Sequence, residues 1–106
     1  MRTAEVLRNG ERVGLLIKEN PKRYRFVYDE AWLSDPTNPS ISLTLPKIQK
    51  EFVSNHLFPF FFNMLSEGVN LKLQARRLQI DENDFFSLLL QTATTDTIGA
   101  ITLKAI

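Results

Sequence analysis

The chain has 106 residues, 24% of them charged and 43% hydrophobic, with a formal net charge of +1. These values are typical of one small globular domain, and they argue against a dedicated nucleic-acid binder, which would carry a clear basic excess. The absence of cysteine excludes disulfides and cysteine-ligated zinc, and the longest apolar cluster, 57–62, is far below the ~20 residues of a membrane span. No apolar run follows the basic Arg2, so the sequence shows no signal-peptide pattern, and we expect a cytoplasmic protein.

A β-hairpin is predicted over residues 3–17. Asn9 and Gly10 suit a two-residue type I′ turn, in which both central residues take positive φ. Such a turn fixes the register of the two strands and gives the hairpin one apolar face. The expected cross-strand pairs are Arg8 with Glu11, Val6 with Val13, and Ala4 with Leu15.

Two further strands are predicted before residue 46. The first carries alternating aromatic side chains at Tyr24, Phe26 and Tyr28, and Trp32 follows its end. Arginines lie between these aromatics, and we expect them to face outward from a strand rather than to form a nucleic-acid site. After a loop over 34–40, the second strand carries alternating apolar side chains at Ile41, Leu43 and Leu45 and ends at Pro46.

Helical periodicity is predicted between about residues 57 and 93. The first helix has apolar residues at the spacing of one helix face, at Phe58, Phe61, Phe62 and Leu65. Gly68 is predicted to end this helix. A second helix is predicted from about Asn70 to Gln79, and a third helix is predicted to follow an N-cap at Asp81.

A final strand is predicted over about 97–104 and is expected to return to the sheet. The predicted fold class is therefore α+β, with a small curled antiparallel sheet packed against a three-helix C-terminal lobe. No repeat, low-complexity stretch or linker interrupts the sequence, so we expect one domain over residues 1–106.

No residue pattern in the chain predicts catalytic chemistry. His56 is the only histidine, so one chain cannot form a histidine-and-cysteine zinc site or a Cys/His pair. The four glycines are scattered and cannot form a phosphate-binding loop. The acidic run 81–84 does not fit an EF-hand, because Phe86 and Thr92 occupy the positions that require glycine and glutamate. We therefore expect neither an enzyme nor a bound cofactor or metal.

Five segments in sequence order resemble one known family. They are 9–16 (NGERVGLL), 26–33 (FVYDEAWL), 41–46 (ISLTLP), 60–68 (FFFNMLSEG) and 84–100, which begins DFFSLL and ends TTDTIGA. Together they are similar to the N-terminal subdomain of HipA-type serine/threonine kinases, the toxins of HipBA toxin–antitoxin modules. Two positions depart from the family pattern, since Ser66 replaces a proline and Thr94 replaces a glycine.

The resemblance implies a particular function. In the family, the last of these segments leads into the ATP-binding core, whereas this sequence ends six residues after Ala100. The chain thus resembles the free-standing HipS-type proteins of tripartite HipBST systems. Membership of that group implies a non-catalytic antitoxin that binds a HipT-like kinase, alongside a HipB-like helix-turn-helix DNA-binding protein.

Other functions stay open at this point. The chain is alternatively a structural subunit that completes or activates a split kinase, or a corepressor component acting through a HipB-like protein. A piece of a longer kinase is a further possibility. The sign of the chain's effect on the kinase separates inhibitor from activator.

Candidate partner-binding residues follow from the docking hypothesis. Trp32 is the first candidate anchor, because tryptophan is enriched among interface hot spots, although it is alternatively a cap on the small core. Phe60 lies off the main apolar stripe of its helix and is a second candidate. The remaining candidates are Asp35 in the 34–40 loop, and Asn63, Ser66 and Glu67 in the turn after the first helix.

Overall fold

The computed structural model describes residues 1–65, 68–81, 83–92 and 101–106. These ranges contain five strands, β1 (Arg2–Arg8), β2 (Glu11–Asn20), β3 (Arg23–Tyr28), β4 (Glu51–Ser54) and β5 (Ile101–Ala105). They contain four helices, α1 (Glu30–Ser34), α2 (Pro59–Phe62), α3 (Gly68–Leu78) and α4 (Phe85–Thr92). The strands form one antiparallel sheet in the order β4-β3-β2-β1-β5, which confirms the predicted α+β class.

The β1–β2 turn is the predicted one, but the register beyond it is not. Asn9 and Gly10 have φ values of 52° and 81°, as a type I′ turn requires, and Arg8 lies opposite Glu11. The predicted pairs of Val6 with Val13 and of Ala4 with Leu15 are wrong. The observed pairs are Leu7 with Arg12, Val6 with Gly14, and Ala4 with Leu16.

A β-bulge causes this change of register. The pairing shifts between Val6 and Leu7, and the shift leaves Val13 as an extra residue in β2. With this insertion, the side chains of both Val13 and Leu16 are fully buried in the core. The bulge thus allows Val13 and Leu16, which are three residues apart, both to belong to the core.

The segment between β3 and β4 differs most from the prediction. Residues 41–45 do not form a strand, because the Leu45 amide donates to the Ser42 carbonyl at 3.1 Å and closes a turn. Within that turn the Thr44 amide donates to Ser42 Oγ at 3.2 Å, so a side chain replaces a strand partner. On the side away from β2, β3 pairs instead with β4, a strand that was not predicted, in which Phe52 lies opposite Phe26. Helix α1 was not predicted either.

The helices form where periodicity predicts them, but their ends differ. Gly68 is the first residue of α3 rather than the end of the preceding helix, and α2 is a single turn. Asp84, not Asp81, caps α4, because Asp84 Oδ1 accepts a hydrogen bond from the Ser87 amide at 3.2 Å. Asp81 instead accepts a hydrogen bond from the Asn83 amide at 2.8 Å in the preceding turn.

The predicted return of the chain to the sheet is confirmed by β5, which pairs with β1 and places Leu103 opposite Val6. Residues 97–100 of the predicted final strand lie outside the described residues. No helix in the ranges that the structure covers is both long and apolar enough to cross a membrane.

The core lies between one face of the sheet and the helices. Ring contacts run through it from β3 to α2: Phe26 meets Tyr28 at 4.8 Å and Phe61 at 5.7 Å, measured between ring centroids. The fully buried large side chains include Tyr28, Phe26, Phe61, Phe86, Leu16 and Leu45. These ring contacts join β3 to α2. Helix α1, which contains Trp32, follows β3, and α2 contains Phe60, so the core underlies both of these candidate partner-binding residues.

Candidate partner-binding surface

Trp32 lies in the core rather than on the surface. Its side chain is 3% exposed, and its indole Nε1 donates to the Pro39 carbonyl at 2.9 Å. The Asn38 side-chain amide donates in turn to the Trp32 carbonyl at 3.4 Å. The indole therefore holds the following loop against the core, and in this conformation it has no face for a partner. This placement corresponds to the alternative reading of Trp32 as a core cap.

Tyr28 holds the second half of the same loop, defined here as the 35–50 loop between α1 and β4. Its side chain is fully buried, and its hydroxyl donates to the Leu45 carbonyl. The same hydroxyl accepts a hydrogen bond from the Ile41 amide at 3.0 Å. Burial raises the pKa of the Tyr28 phenol, so the hydroxyl keeps its proton and its donor role over the physiological pH range.

Tyr28→Phe is expected to lower the free energy of unfolding by about 2 kcal/mol, because the buried Leu45 carbonyl and the partly buried Ile41 amide lose their partner. The melting temperature should fall by roughly 10 °C in a domain of this size. Tyr24→Phe is the matched control, since the Tyr24 hydroxyl makes no hydrogen bond in the part of the chain that the structure describes. Equal melting temperatures for the two variants would contradict the role of Tyr28.

Lys47 and Asp35 close the 35–50 loop from its polar side. The Lys47 ammonium donates to the carbonyls of Asp35 and Asn38, each at 2.7 Å, and the Lys47 amide donates to Ser40 Oγ at 2.9 Å. The Asp35 carboxylate accepts from the Thr37 hydroxyl at 2.6 Å and from the Thr37 amide at 2.9 Å. These hydrogen bonds give the loop a defined conformation.

The Asp35 carboxyl makes the loop conformation dependent on pH. Its pKa lies below the ordinary value of 3.8, chiefly because the Thr37 hydroxyl donates to the carboxylate, with the Thr37 amide second. A depressed folded-state pKa means that the stabilisation is complete above the ordinary value and is lost as the pH falls through the folded pKa. Thr37→Val should therefore raise the Asp35 pKa toward 3.8 in an NMR titration of the carboxyl carbon. An unchanged pKa would contradict this assignment.

The 35–50 loop presents two aliphatic side chains to solvent. Leu43 is 99% exposed and Ile48 is 93% exposed. Exposed apolar residues that occur singly are ordinary, but two nearly free side chains on one hydrogen-bonded loop form a candidate contact surface. Because the loop is already ordered, binding through it loses little conformational entropy. Leu43 and Ile48 therefore become candidate contact residues on the loop that also contains Asp35.

In α2, Phe60 is more buried and Phe62 is more exposed than predicted. Phe60 is half-buried and meets Phe61 edge-on at a centroid distance of 5.2 Å. Phe62, which was predicted to lie on the buried stripe, is instead 42% exposed and rests on Phe85 at 5.0 Å. Phe62 is thus a better surface candidate on α2 than Phe60. The predicted apolar face is not maintained, because α2 ends after one turn.

Asn63 is exposed and ends α2, where its amide donates to the Pro59 carbonyl at 2.9 Å. Ser66 and Glu67 lie outside the described residues. Trp32 belongs to α1 and contacts the 35–50 loop, which contains Asp35, whereas Asn63 is the residue that follows α2. In the described part of the chain, no hydrogen bond or ring contact joins these two groups directly.

The outer face of β3 is occupied by ion pairs. Arg25 contacts Glu19 at 2.6 Å and Glu51 at 2.8 Å, and Arg23 contacts Glu19 at 3.1 Å. These carboxylates offset the positive charge that the alternation of arginines and aromatics placed on this strand. In the same ranges, no group of three acidic, histidine or cysteine residues could hold a metal ion.

Leu43 and Ile48 were not among the candidates from the sequence, and only a weak signal pointed to them. Leu43 fitted a buried strand by its alternation with Ser42 and Thr44. The two prolines that bracket this stretch, Pro39 and Pro46, argue for a loop, since proline disfavours central strands. That signal would have moved Leu43 from the predicted core to the surface.

Comparison with known proteins connects this fold to one family. Residues 4–104 match the family model described as HipA N-terminal domain. The chain is also similar to a solved structure entitled "N-terminal domain of HipA toxin", with 30% sequence identity and a TM-score of 0.72. That match covers 100% of this chain and 93% of the other.

Two curated proteins show the same similarity in different settings. An "Uncharacterized protein" of Haemophilus influenzae is 32% identical over 104 residues, which are 98% of this chain and 92% of that protein. The protein named "Putative kinase Y4mE" of Sinorhizobium fredii is also 32% identical over 104 residues. The chain spans only 24% of its length. The same domain is thus nearly a whole protein in one relative and about a quarter of the other.

Proposed function

The chain belongs to the HipA N-terminal domain family, and we propose that it is a non-catalytic regulatory subunit that binds and inhibits a HipT-like serine/threonine kinase. One observation carries this proposal. The domain matched over residues 4–104 accompanies a much longer chain in the relative named as a kinase, and it makes up most of the Haemophilus influenzae relative. A domain found in both settings can act on a kinase as a separate protein.

The 35–50 loop is the proposed docking element. It presents Leu43 and Ile48 on a backbone that Tyr28, Trp32 and Lys47 already hold in place. Interface energy concentrates in a few apolar or aromatic anchors, and pre-ordered loops bind with a small entropic penalty. Inhibition further requires that the bound chain either occlude the active site of the kinase or block a lobe movement that the kinase needs.

The proposed assembly includes a third component. A HipB-like helix-turn-helix protein would supply the contacts with DNA, since a net charge of +1 on this chain offers little attraction for phosphates. The complex would act in the cytoplasm. Nothing in this proposal requires a cofactor on the chain.

A second function is favoured by the Sinorhizobium fredii relative. There the domain is part of the same chain as the rest of the protein named as a kinase. A separate copy could complete a split kinase and activate it. Inhibition and activation differ in sign, so one measurement separates them.

The direct test is co-expression with a HipT-like kinase, the proposed partner, with growth as the readout. The wild-type chain is expected to restore growth. A variant carrying Leu43→Asp and Ile48→Asp, expressed to the same level, is expected to restore it poorly. Deeper growth arrest would identify an activating subunit, and unchanged toxicity would point to the helix-turn-helix protein as the inhibitor.

A further inference from the structure

Helix α3 exposes more of its surface than the fold explains. Of its side chains over 70–78, only Ala75 is buried, and Leu71 and Gln74 are half-buried. Leu73 is 51% exposed and Leu78 is 39% exposed. An amphipathic helix that packs only on its own domain usually turns its leucines inward. The outer side of α3 is therefore a candidate contact surface that the 35–50 loop does not include.

The charge on this helix has one sign. The sequence of α3 contains Lys72, Arg76 and Arg77 and no acidic residue. In the residues that the structure describes, none of these three cations forms an ion pair. Lys72 and Arg76 are four residues apart, and like charges at that spacing destabilise an isolated helix. The helix dipole favours Arg76 and Arg77 in the last turn but does not explain Lys72.

Two of these cations line a cleft beside α3. Its volume is about 210 Å³, and its lining is Lys72, Ala75, Arg76 and Ile80. Ala75 and Ile80 supply an apolar surface, and the two cations supply positive charge beside it. A glutamate side chain has matching parts, with methylenes for the apolar surface and a carboxylate for Lys72 and Arg76.

The end of α3 is ordered in a way that keeps this cleft in place. Gln79 takes a left-handed conformation with φ of 58°, and the Ile80 amide donates to the Ala75 carbonyl at 2.9 Å. These are the features of a Schellman cap, which fixes the last turn and the residue after it. Ile80 is thereby held beside Ala75.

We propose that this basic face of α3 binds an acidic segment of a partner protein. A glutamate of that segment enters the cleft between Lys72 and Arg76, and an apolar side chain of the segment covers Leu73. On a helical projection Leu73 lies between Arg76 and Arg77, so one segment can meet the leucine and the cations together. Nucleic acid fits less well, because a phosphate backbone offers nothing apolar to Leu73 and α3 carries no aromatic residue for base stacking.

The test titrates isotope-labelled protein with a synthetic peptide rich in glutamate and leucine, of about 15 residues so that helix formation is feasible. Amide shifts are expected over 72–80, with loss of binding at high salt. A matched peptide with glutamine in place of glutamate should bind at least about tenfold more weakly, since it cannot offer a carboxylate. Short double-stranded DNA should also bind more weakly than the acidic peptide.

Variants of the chain complete the test. Lys72→Gln with Arg76→Gln should weaken peptide binding about tenfold, and the charge-preserving pair Lys72→Arg with Arg76→Lys should retain most of it. Leu73→Ala should weaken binding severalfold, and Lys104→Gln, an exposed cation on β5, is the control. Equal binding of the two peptides, or full binding by the glutamine variants, would overturn the proposal. Tighter binding of DNA would also overturn it and make α3 a phosphate-binding face.

Discussion

Gly14→Ala is expected to lower the free energy of unfolding by about 3 kcal/mol or more, because the β2–β3 contact leaves no space for a methyl group. A Cβ atom at Gly14 would lie 2.3 Å from the Val27 carbonyl oxygen and 3.1 Å from the Tyr28 Cα atom. Both atoms belong to the backbone of β3, which is paired with β2, so a change of side-chain conformation cannot relieve the clash. Urea denaturation followed by circular dichroism measures the change.

Gly10→Ala is the matched control for this prediction. Gly10 has φ of +81° and has nothing within 4 Å of an added Cβ atom, so the substitution tests backbone strain without a clash. The expected loss is about 1 kcal/mol. If Gly14→Ala were no more destabilising than Gly10→Ala, the close approach of β2 and β3 would be contradicted.

Because Gly14 lies opposite Tyr28, Gly14→Ala should also release the 35–50 loop.

Replacing Leu43 and Ile48 together by aspartate is expected to weaken the proposed complex with a HipT-like kinase by at least about 100-fold. Each change removes a proposed apolar anchor and puts a charge where the partner surface must lose water. The fold should be unaffected within about 0.5 kcal/mol, since both side chains are almost fully exposed. Isothermal titration calorimetry measures the first effect and thermal melting the second.

The control for this pair is Ile106→Asp. Ile106 is 68% exposed, so the substitution makes the same chemical change at a surface outside the loop. Binding of this control should match that of the wild type. Equal weakening by the control and the loop variant would show a general effect of charge, and undiminished binding by the loop variant would place the interface elsewhere.

Local chemistry explains which parts of the fold the sequence predicted. The Asn9-Gly10 turn followed from the positive φ that type I′ turns need, and a turn is decided within a few residues. The bulge at Val13 could not be predicted in the same way. The alternation of Val13, Leu15 and Ile17 is equally compatible with a register that has no bulge. The burial of Leu16 depends on packing against the helices, which the alternation does not show.

The same argument applies to the 35–50 loop. Alternation of Ile41, Leu43 and Leu45 predicts a strand, but here Ser42 and Thr44 bond within their own turn and free Leu43. The alternation cannot reveal this, because the turn is also held from outside by the Tyr28 hydroxyl of β3, which bonds the backbone of Ile41 and Leu45. The choice of Trp32 rested on residue type alone, whereas its burial depends on the position of the Pro39 carbonyl.

The proposal of an inhibitory subunit is tested most directly by autophosphorylation of a purified HipT-like kinase, the proposed partner. Increasing amounts of the chain are added, and incorporation of phosphate is followed with time. Autophosphorylation is predicted to fall as the wild-type chain is added and to persist when the Leu43→Asp, Ile48→Asp variant is added instead. Autophosphorylation that rises, or that continues unchanged while a stable complex forms, would contradict inhibition.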